Sequence, residues 1–397
     1  ELAQVRILIT VSLFAVNMRN LFASCRKETS LDPQAAVDIS VMKVAIIGGS
    51  LGGLASANAF HRLGASVTVF EKHPRSFEQR GAGMGFVDVA LWEQLRGGRF
   101  MRRGRRASRS QGGFFYGDLW QFLYDGLPHD CVKFDAAVQD LGMDNMHPTI
   151  DGEVFDLAIV ADGGWSNLRH YVTDDKDPEY SGYVIWRGRV DLDDLQGYQE
   201  YGIWKNGIYD TIVLPIPTSG GRDYVIGGTF VATPEDEVVQ PERGANRHIE
   251  TSKLYQGSGD VDWFLRFHRH KFGDQAGGEL TRFFEVAASK GKVTCGPLYE
   301  FVADRVVAGR IVIVGDAAHM ASPRTASGAH TAIQDAMHLF ETFARVGLHD
   351  IDSALKDYDR EAVLRAKQLY MRSRECSLEF LPVGGKSAII SPTIVVP

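Results

Sequence analysis

Gly48-Gly49-Ser50-Leu51-Gly52-Gly53 forms a turn rich enough in glycine for a phosphate to approach the backbone closely, and Glu71 follows 23 positions after Gly48. A carboxylate at that distance stands where it would accept hydrogen bonds from both hydroxyls of a ribose. Turn and acid together imply an adenine dinucleotide site, held through Gly48, Ser50, Gly53 and Glu71. The pattern G-x-G-x-x-G departs at Ser50, whose β-carbon lies where a pyrophosphate comes close and whose hydroxyl can donate to it. Two more acids stand beside glycines at strand ends, in Asp162-Gly163 and Gly315-Asp316.

The elements that must position these residues are readable from hydrophobic period. Val44 to Ile47 form a short apolar run suited to a strand buried on both faces. Leu54, Ala55, Ala57, Phe60 and Leu63 then recur at helical spacing, and Gly64 stands where a helix stops. A helix starting at the turn presents unpaired N–H groups and a positive dipole end to an anion. Ser66 to Phe70 alternate as a second strand, Phe155 to Ala161 lead into Asp162, and Ile311 to Val314 lead into Gly315. From about Tyr180 to Glu300 the segments YVIWRGRV, GIYDTIVLPIP and DYVIGGTFVA alternate between turn residues, as an antiparallel sheet would. Tyr116 to Leu127 and Ala332 to Val346 read as helices, and the chain from Gly347 reads as helical with a loose tail.

With 397 residues and 44% hydrophobic content the chain can bury a large core in two closely joined domains. A net charge of −7 argues against a general affinity for nucleic acid. The arginine run from Arg96 to Arg109 reads as a solvated face, because aromatic residues are not interleaved densely enough for base stacking. Cys25, Cys131, Cys295 and Cys376 lie far apart without C-x-x-C, which points to reduced thiols in a cytoplasmic setting and to no metal site. His268 and His270 stand two apart, but among cations that would repel a metal ion. Residues 1–41 read as a leader outside the fold, either targeting or non-native. Its apolar run from Ile7 to Val16 is too short to span a bilayer, so no stable membrane insertion is expected.

Three separated motifs coincide, and together they resemble the FAD-dependent aromatic-ring monooxygenases of the para-hydroxybenzoate hydroxylase fold. The turn at Gly48 to Gly53 is the first. Asp162-Gly163 with Ser166 and Arg169 matches the family's D-G-x-x-S-x-x-R, and Gly315-Asp316-Ala317-Ala318-His319 followed by Pro323 matches its G-D-A-A-H-x-x-x-P. The resemblance spans Met42 to about Ser377, and the wording around Tyr183-Val184-Ile185-Trp186-Arg187-Gly188 is most similar to the 2,6-dihydroxypyridine 3-monooxygenase branch. Two departures stand out. The usual G-Q-G-x-N reads Ala326-Ser327-Gly328-Ala329-His330, and Tyr116 occupies roughly the place of an arginine that contacts the cofactor, a role open to Arg106 or Arg109.

The resemblance implies an α/β fold: a Rossmann-like FAD-binding domain with an inserted antiparallel β-sheet substrate domain and C-terminal helices. Its parts would be 42–175 and 301–346 for FAD, 176–300 for substrate and 347–397 for the C-terminal helices and tail. It further implies that Glu71 holds the adenosine ribose, Asp316 the ribityl hydroxyls, and the amides around Gly328 the flavin pyrimidine edge. Asp162, Gly163 and Arg169 would lie near the pyrophosphate, with Gly315 in the loop beside them. Tyr209, Pro323 and His330 are the implied catalytic pocket residues. The implied reaction hydroxylates an electron-rich aromatic or N-heteroaromatic ring with NADH or NADPH and O₂ through a flavin C4a-hydroperoxide. The partners are then a small aromatic substrate and O₂, with the oligomeric state left open and a homodimer among the options. Epoxidation, reduction or an inactive FAD-binding relative are the alternatives; halogenation is disfavoured because G-W-x-W-x-I-P is absent.

Overall fold

The computed structural model describes residues 42–381 apart from 76–82, 85–86, 103–104, 107–112, 175–176, 207–208, 220–222, 234, 236–260 and 348–350. They belong to the second of the chain's two compact units, Val37–Pro397; the first, Glu1–Ala36, lies outside the described residues, and the leader with it.

The chain opens with β1 (Lys43–Ile47), α1 (Leu51–Arg62) and β2 (Ser66–Phe70). Val44, Ala45 and Ile46 are fully buried, so both faces of β1 are covered, and that is why its sequence is an unbroken apolar run. Short pieces follow: β3 (Gly83–Met84), α2 (Val89–Arg96), β4 (Met101–Arg102), β5 (Arg105–Arg106) and β6 (Phe114–Phe115). Next come α3 (Tyr116–Tyr124), β7 (Val132–Lys133), β8 (Gly142–Asp144), β9 (His147–Ile150), β10 (Glu153–Val154) and β11 (Leu157–Val160). The second half holds β12 (Glu179–Asp191), β13 (Gly202–Asn206), β14 (Tyr209–Ile216), β15 (Tyr224–Ala232), α4 (Val261–Phe272), α5 (Glu279–Ser289) and β16 (Val293–Val302). It closes with β17 (Val307–Ala308), β18 (Ile311–Ile313), β19 (His319–Met320), α6 (Gly328–Val346) and α7 (Ile351–Phe380).

Two six-stranded sheets organise these elements. The first has the order β17-β18-β11-β1-β2-β7, parallel except for β17, so the chain leaves β1, β11 and β18 at the same edge. The helix α1 packs beside α6, with Phe60 edge-on to Phe343 at 5.0 Å. The second sheet, β13-β14-β15-β12-β16-β19, is antiparallel. Its last strand, β19, lies in the 301–346 segment that also supplies β17 and β18, so that segment contributes to both sheets. Helices α4 and α5 cover one face, where Trp186 stacks on Phe264 at 4.6 Å and Trp263 on Phe267 at 5.2 Å.

Candidate active site

The glycine turn closes because it touches the neighbouring strand end. Gly48 has φ +107°, and a β-carbon there would lie 2.3 Å from the Ala161 carbonyl oxygen; one on Gly53 would lie 1.8 Å from the Gly48 carbonyl oxygen. No other residue fits either place. Ser50 is different: its backbone is extended at φ −86°, and its hydroxyl meets the Tyr116 hydroxyl at 2.7 Å. Trp120 Nε1, one turn along α3, donates to the Gly49 carbonyl at 2.8 Å. The tyrosine in the expected arginine position thus seats α3 on the turn. The side chain of Arg106, and Arg109 altogether, lie outside the described residues.

Glu71 is 4% exposed at the end of β2, its Oε2 accepting from Gly49 N–H at 2.7 Å and its Oε1 from His73 N–H at 2.9 Å. It braces the turn from behind, beside the place a ribose would take.

The D-G-x-x-S-x-x-R segment folds on itself. Asp162 Oδ2 accepts from Asn167 N–H at 3.1 Å, and Ser166 Oγ from Arg169 N–H at 2.9 Å. Arg169 donates to the Gly164 carbonyl and lies 3.9 Å from the centre of the Phe301 ring. At 1% exposure its guanidinium has no surface to offer a phosphate, which corrects the expectation that Arg169 contacts the cofactor. Asp162 remains: its Oδ1 is buried without a hydrogen-bond partner among the described residues, and burial pushes its carboxyl up against the opposing pull of Ser166 and Arg169.

At the third strand end Gly315 takes φ +60° and Asp316 is exposed. The loop is anchored from below by Asp335 of α6. Its Oδ2 accepts from Gly315 N–H at 3.1 Å and pairs with His319 Nε2 at 2.6 Å, while Oδ1 takes Arg365 Nη2 at 2.8 Å. Gly328 opens α6, with open space where a β-carbon would stand. His330 lies half-buried in the first turn, and exposed Pro323 begins a 3₁₀ turn just upstream. Before Gly328, Ala326 adopts φ +50°, the left-handed conformation for which glycine is the ordinary choice.

These features fit a bound dinucleotide. Helices α1 and α6 both start without a side-chain cap and without an acid in the first turn, leaving first-turn amides for an anion. Gly163, at φ +94°, also faces open space.

Strand alternation decides which residues of the second sheet face which layer. Tyr209, Thr211 and Val213 point to the helices: Tyr209 packs edge-on against Phe267 at 5.1 Å, and Thr211 meets His268 at 3.3 Å. Tyr209 is therefore not a pocket residue, because the side-chain period of two turns it into the helical layer. His268 is buried there between Thr211 and Thr281, and burial holds its imidazole down at about 3, so it serves as a neutral packing group. The opposite face carries Tyr183, Ile185, Ile212 and Phe230, with Asp210 beside them. Tyr183 ties this face to the 322–325 turn, its hydroxyl 2.6 Å from Ser322 Oγ and 2.8 Å from Ser377 Oγ.

The comparisons with known proteins agree with this geometry. The family described as FAD binding domain matches residues 285–373, and that described as Pyridine nucleotide-disulphide oxidoreductase matches residues 43–84. The 3-amino-4-hydroxybenzoate 2-monooxygenase of Streptomyces cremeus is 26% identical over 86% of this chain and 89% of its own. The 2,6-dihydroxypyridine 3-monooxygenase of Paenarthrobacter nicotinovorans is also 26% identical, over 80% and 86%. The chain is similar to FAD-dependent aromatic-ring monooxygenases over most of its length. Equal identity to a benzoate and a pyridine hydroxylase means that the likeness spans both branches. The fold is shared with Klebsiella pneumoniae HpxO complexed with FAD and uric acid, at a TM-score of 0.65 and 22% identity over 85% of this chain and 88% of that one.

Within this site the sequence reading missed Asp335, Arg365, Trp120 and the Asp210–Arg324 pair. Asp335 had a signal: an acid on the same helical stripe as Ala332, Ala336 and Leu339 must be paired if the stripe is buried. Arg365 had none, being one cation among many on a long polar helix.

Proposed function

We propose that the chain hydroxylates an electron-rich aromatic or N-heteroaromatic ring, using FAD with NADH or NADPH and O₂. The observation that carries this is the convergence of three glycine-bearing strand ends, after β1, β11 and β18, on one edge of the parallel sheet. Glu71 would hold the adenosine ribose, Asp316 the ribityl hydroxyls, and the first amides of α6 the flavin pyrimidine edge. Asp162 and Gly163 would stand along the pyrophosphate. Bound FAD supplies the electron transfer and oxygen activation. The chain's own part is to position and to dry the site. Pro323 and His330 flank the start of α6, and the buried cluster of Tyr183, Ile185, Phe230 and Phe380 packs beside the turn that carries Pro323.

A cytoplasmic setting, where NAD(P)H is available, suits the free thiols of Cys131, Cys295 and Cys376. Among the described residues no helix is long and apolar enough to cross a membrane.

The test is direct. Purified protein should be yellow with a flavin spectrum, and hydroxypyridines or phenols should accelerate its NADH or NADPH oxidation while one ¹⁸O atom from O₂ enters the ring. Protein that stays colourless after incubation with FAD, or that never oxygenates a ring across the panel, would overturn the reading.

A further inference from the structure

Asp210 and Arg324 form an ion pair on the face of the antiparallel sheet opposite α4 and α5, where Phe380 of α7 packs. Arg324 Nη1 lies 2.5 Å from Asp210 Oδ2, and the two side chains are only 13% and 10% exposed. Strand and turn bring them together: Asp210 sits in β14 opposite Phe230 of β15, and Arg324 follows Pro323 directly. The guanidinium lies over Phe230 at 5.2 Å and over Phe380 at 4.5 Å, so aromatic rings fix its plane. The pair is incomplete as a hydrogen-bonding unit. Arg324 Nε is buried without a partner, and Asp210 Oδ1 takes no hydrogen bond among the described residues. A nearly buried charge pair left with one donor and one acceptor unused suits a ligand that supplies the complement.

We propose that Asp210 and Arg324 select a ring bearing an N–H beside a C=O, the lactam edge of a hydroxylated N-heteroaromatic. This rests on the reading above and names the substrate class within it. The ring N–H would donate to Asp210 and the ring carbonyl would accept from Arg324. A carboxylate-bearing ring fits less well, because it would meet the guanidinium only beside the charge of Asp210. The other cations on this face by alternation are Arg189, which lies over Tyr224 at 5.1 Å, and Arg187. Sites built from polar groups discriminate strongly against ligands that leave those groups unpaired.

The experiment titrates the FAD-loaded protein with 2-pyridone and with benzoate, following the flavin absorbance change. The expected result is tighter binding of 2-pyridone by about tenfold or more. In Asp210→Asn, which keeps the shape but frees the cation, the ratio should shift toward benzoate by a similar factor. A pair that merely staples the sheet to the 322–325 turn would lower affinity for both ligands together, and that result overturns the proposal. So does a wild-type preference for benzoate, or an Asp210→Asn ratio within about twofold of wild type. Arg324→Lys, which keeps the charge without the planar fork, should lose 2-pyridone affinity while retaining flavin; unchanged 2-pyridone affinity in it counts against the proposal. Failure here in a yellow protein that still oxygenates some ring leaves the broader function standing.

Discussion

Asp335→Asn tests how the loop from Gly315 to His319 is held. The carboxylate accepts from Gly315 N–H, His319 Nε2, and both Nε and Nη2 of Arg365, at 2.6 to 3.2 Å. Burial alone would push this carboxyl up, but His319 and Arg365 outweigh burial and hold it at about 2. Release to the ordinary aspartate value of about 3.9 on unfolding makes the ionised form worth on the order of 2 to 3 kcal/mol at neutral pH. Asparagine keeps the shape, forfeits that contribution and leaves Arg365 facing an uncharged group, so the expected loss is about 3 kcal/mol. Because the folded value is the lower one, the carboxyl's contribution is complete above about pH 5 and fades as the pH falls toward 2. His319 behaves oppositely: burial lowers it, but Asp335 raises it further, so its contribution is complete below the ordinary histidine value and is lost as pH climbs through the raised one. The gap between wild type and variant should therefore be widest between about pH 5 and about pH 6.5. Unfolding of both proteins in urea across this range measures it, and Asp335→Asn combined with Arg365→Met should recover part of the loss. A gap below about 0.5 kcal/mol at pH 6, or one that persists undiminished to pH 3, would refute the account.

Three other outcomes follow from named contacts. Glu71→Ala removes the acceptor of two backbone amides and the implied ribose partner, so FAD affinity measured by fluorescence titration should fall about tenfold or more. Tyr209→Phe should leave flavin content and ligand affinity within about twofold of wild type, since the phenol faces Phe267 in the helical layer; a larger loss would put Tyr209 back in the pocket. Ala326→Gly relieves the left-handed backbone at φ +50° and should raise stability by up to about 1 kcal/mol, seen as a melting temperature higher by roughly 2 °C.

The parallel half was legible because its signals are local. An unbroken apolar run, a glycine turn and a helical stripe each specify their own geometry within a few residues, and Gly48 and Gly53 are required by contacts that the turn itself creates. The motifs around Asp162 and Gly315 placed two more strand ends, and the alternating segments after Tyr180 announced the second sheet. Tertiary structure alone decided the facing of that sheet. Both faces of β14 are covered, so alternation in GIYDTIVLPIP could not say whether Tyr209 or Asp210 faces the helical layer; the register with β15 and the packing of α4 put Tyr209 there and Asp210 on the opposite face. The same holds for charge pairing. Asp335 finds Arg365 from another helix, Asp210 finds Arg324 from a distant turn, and Arg169 turns inward onto Phe301 instead of outward to a phosphate. Such partners are separated by up to 132 positions, as Arg169 is from Phe301. No local spacing rule reaches that far, because only burial makes an uncompensated charge costly enough to select its partner.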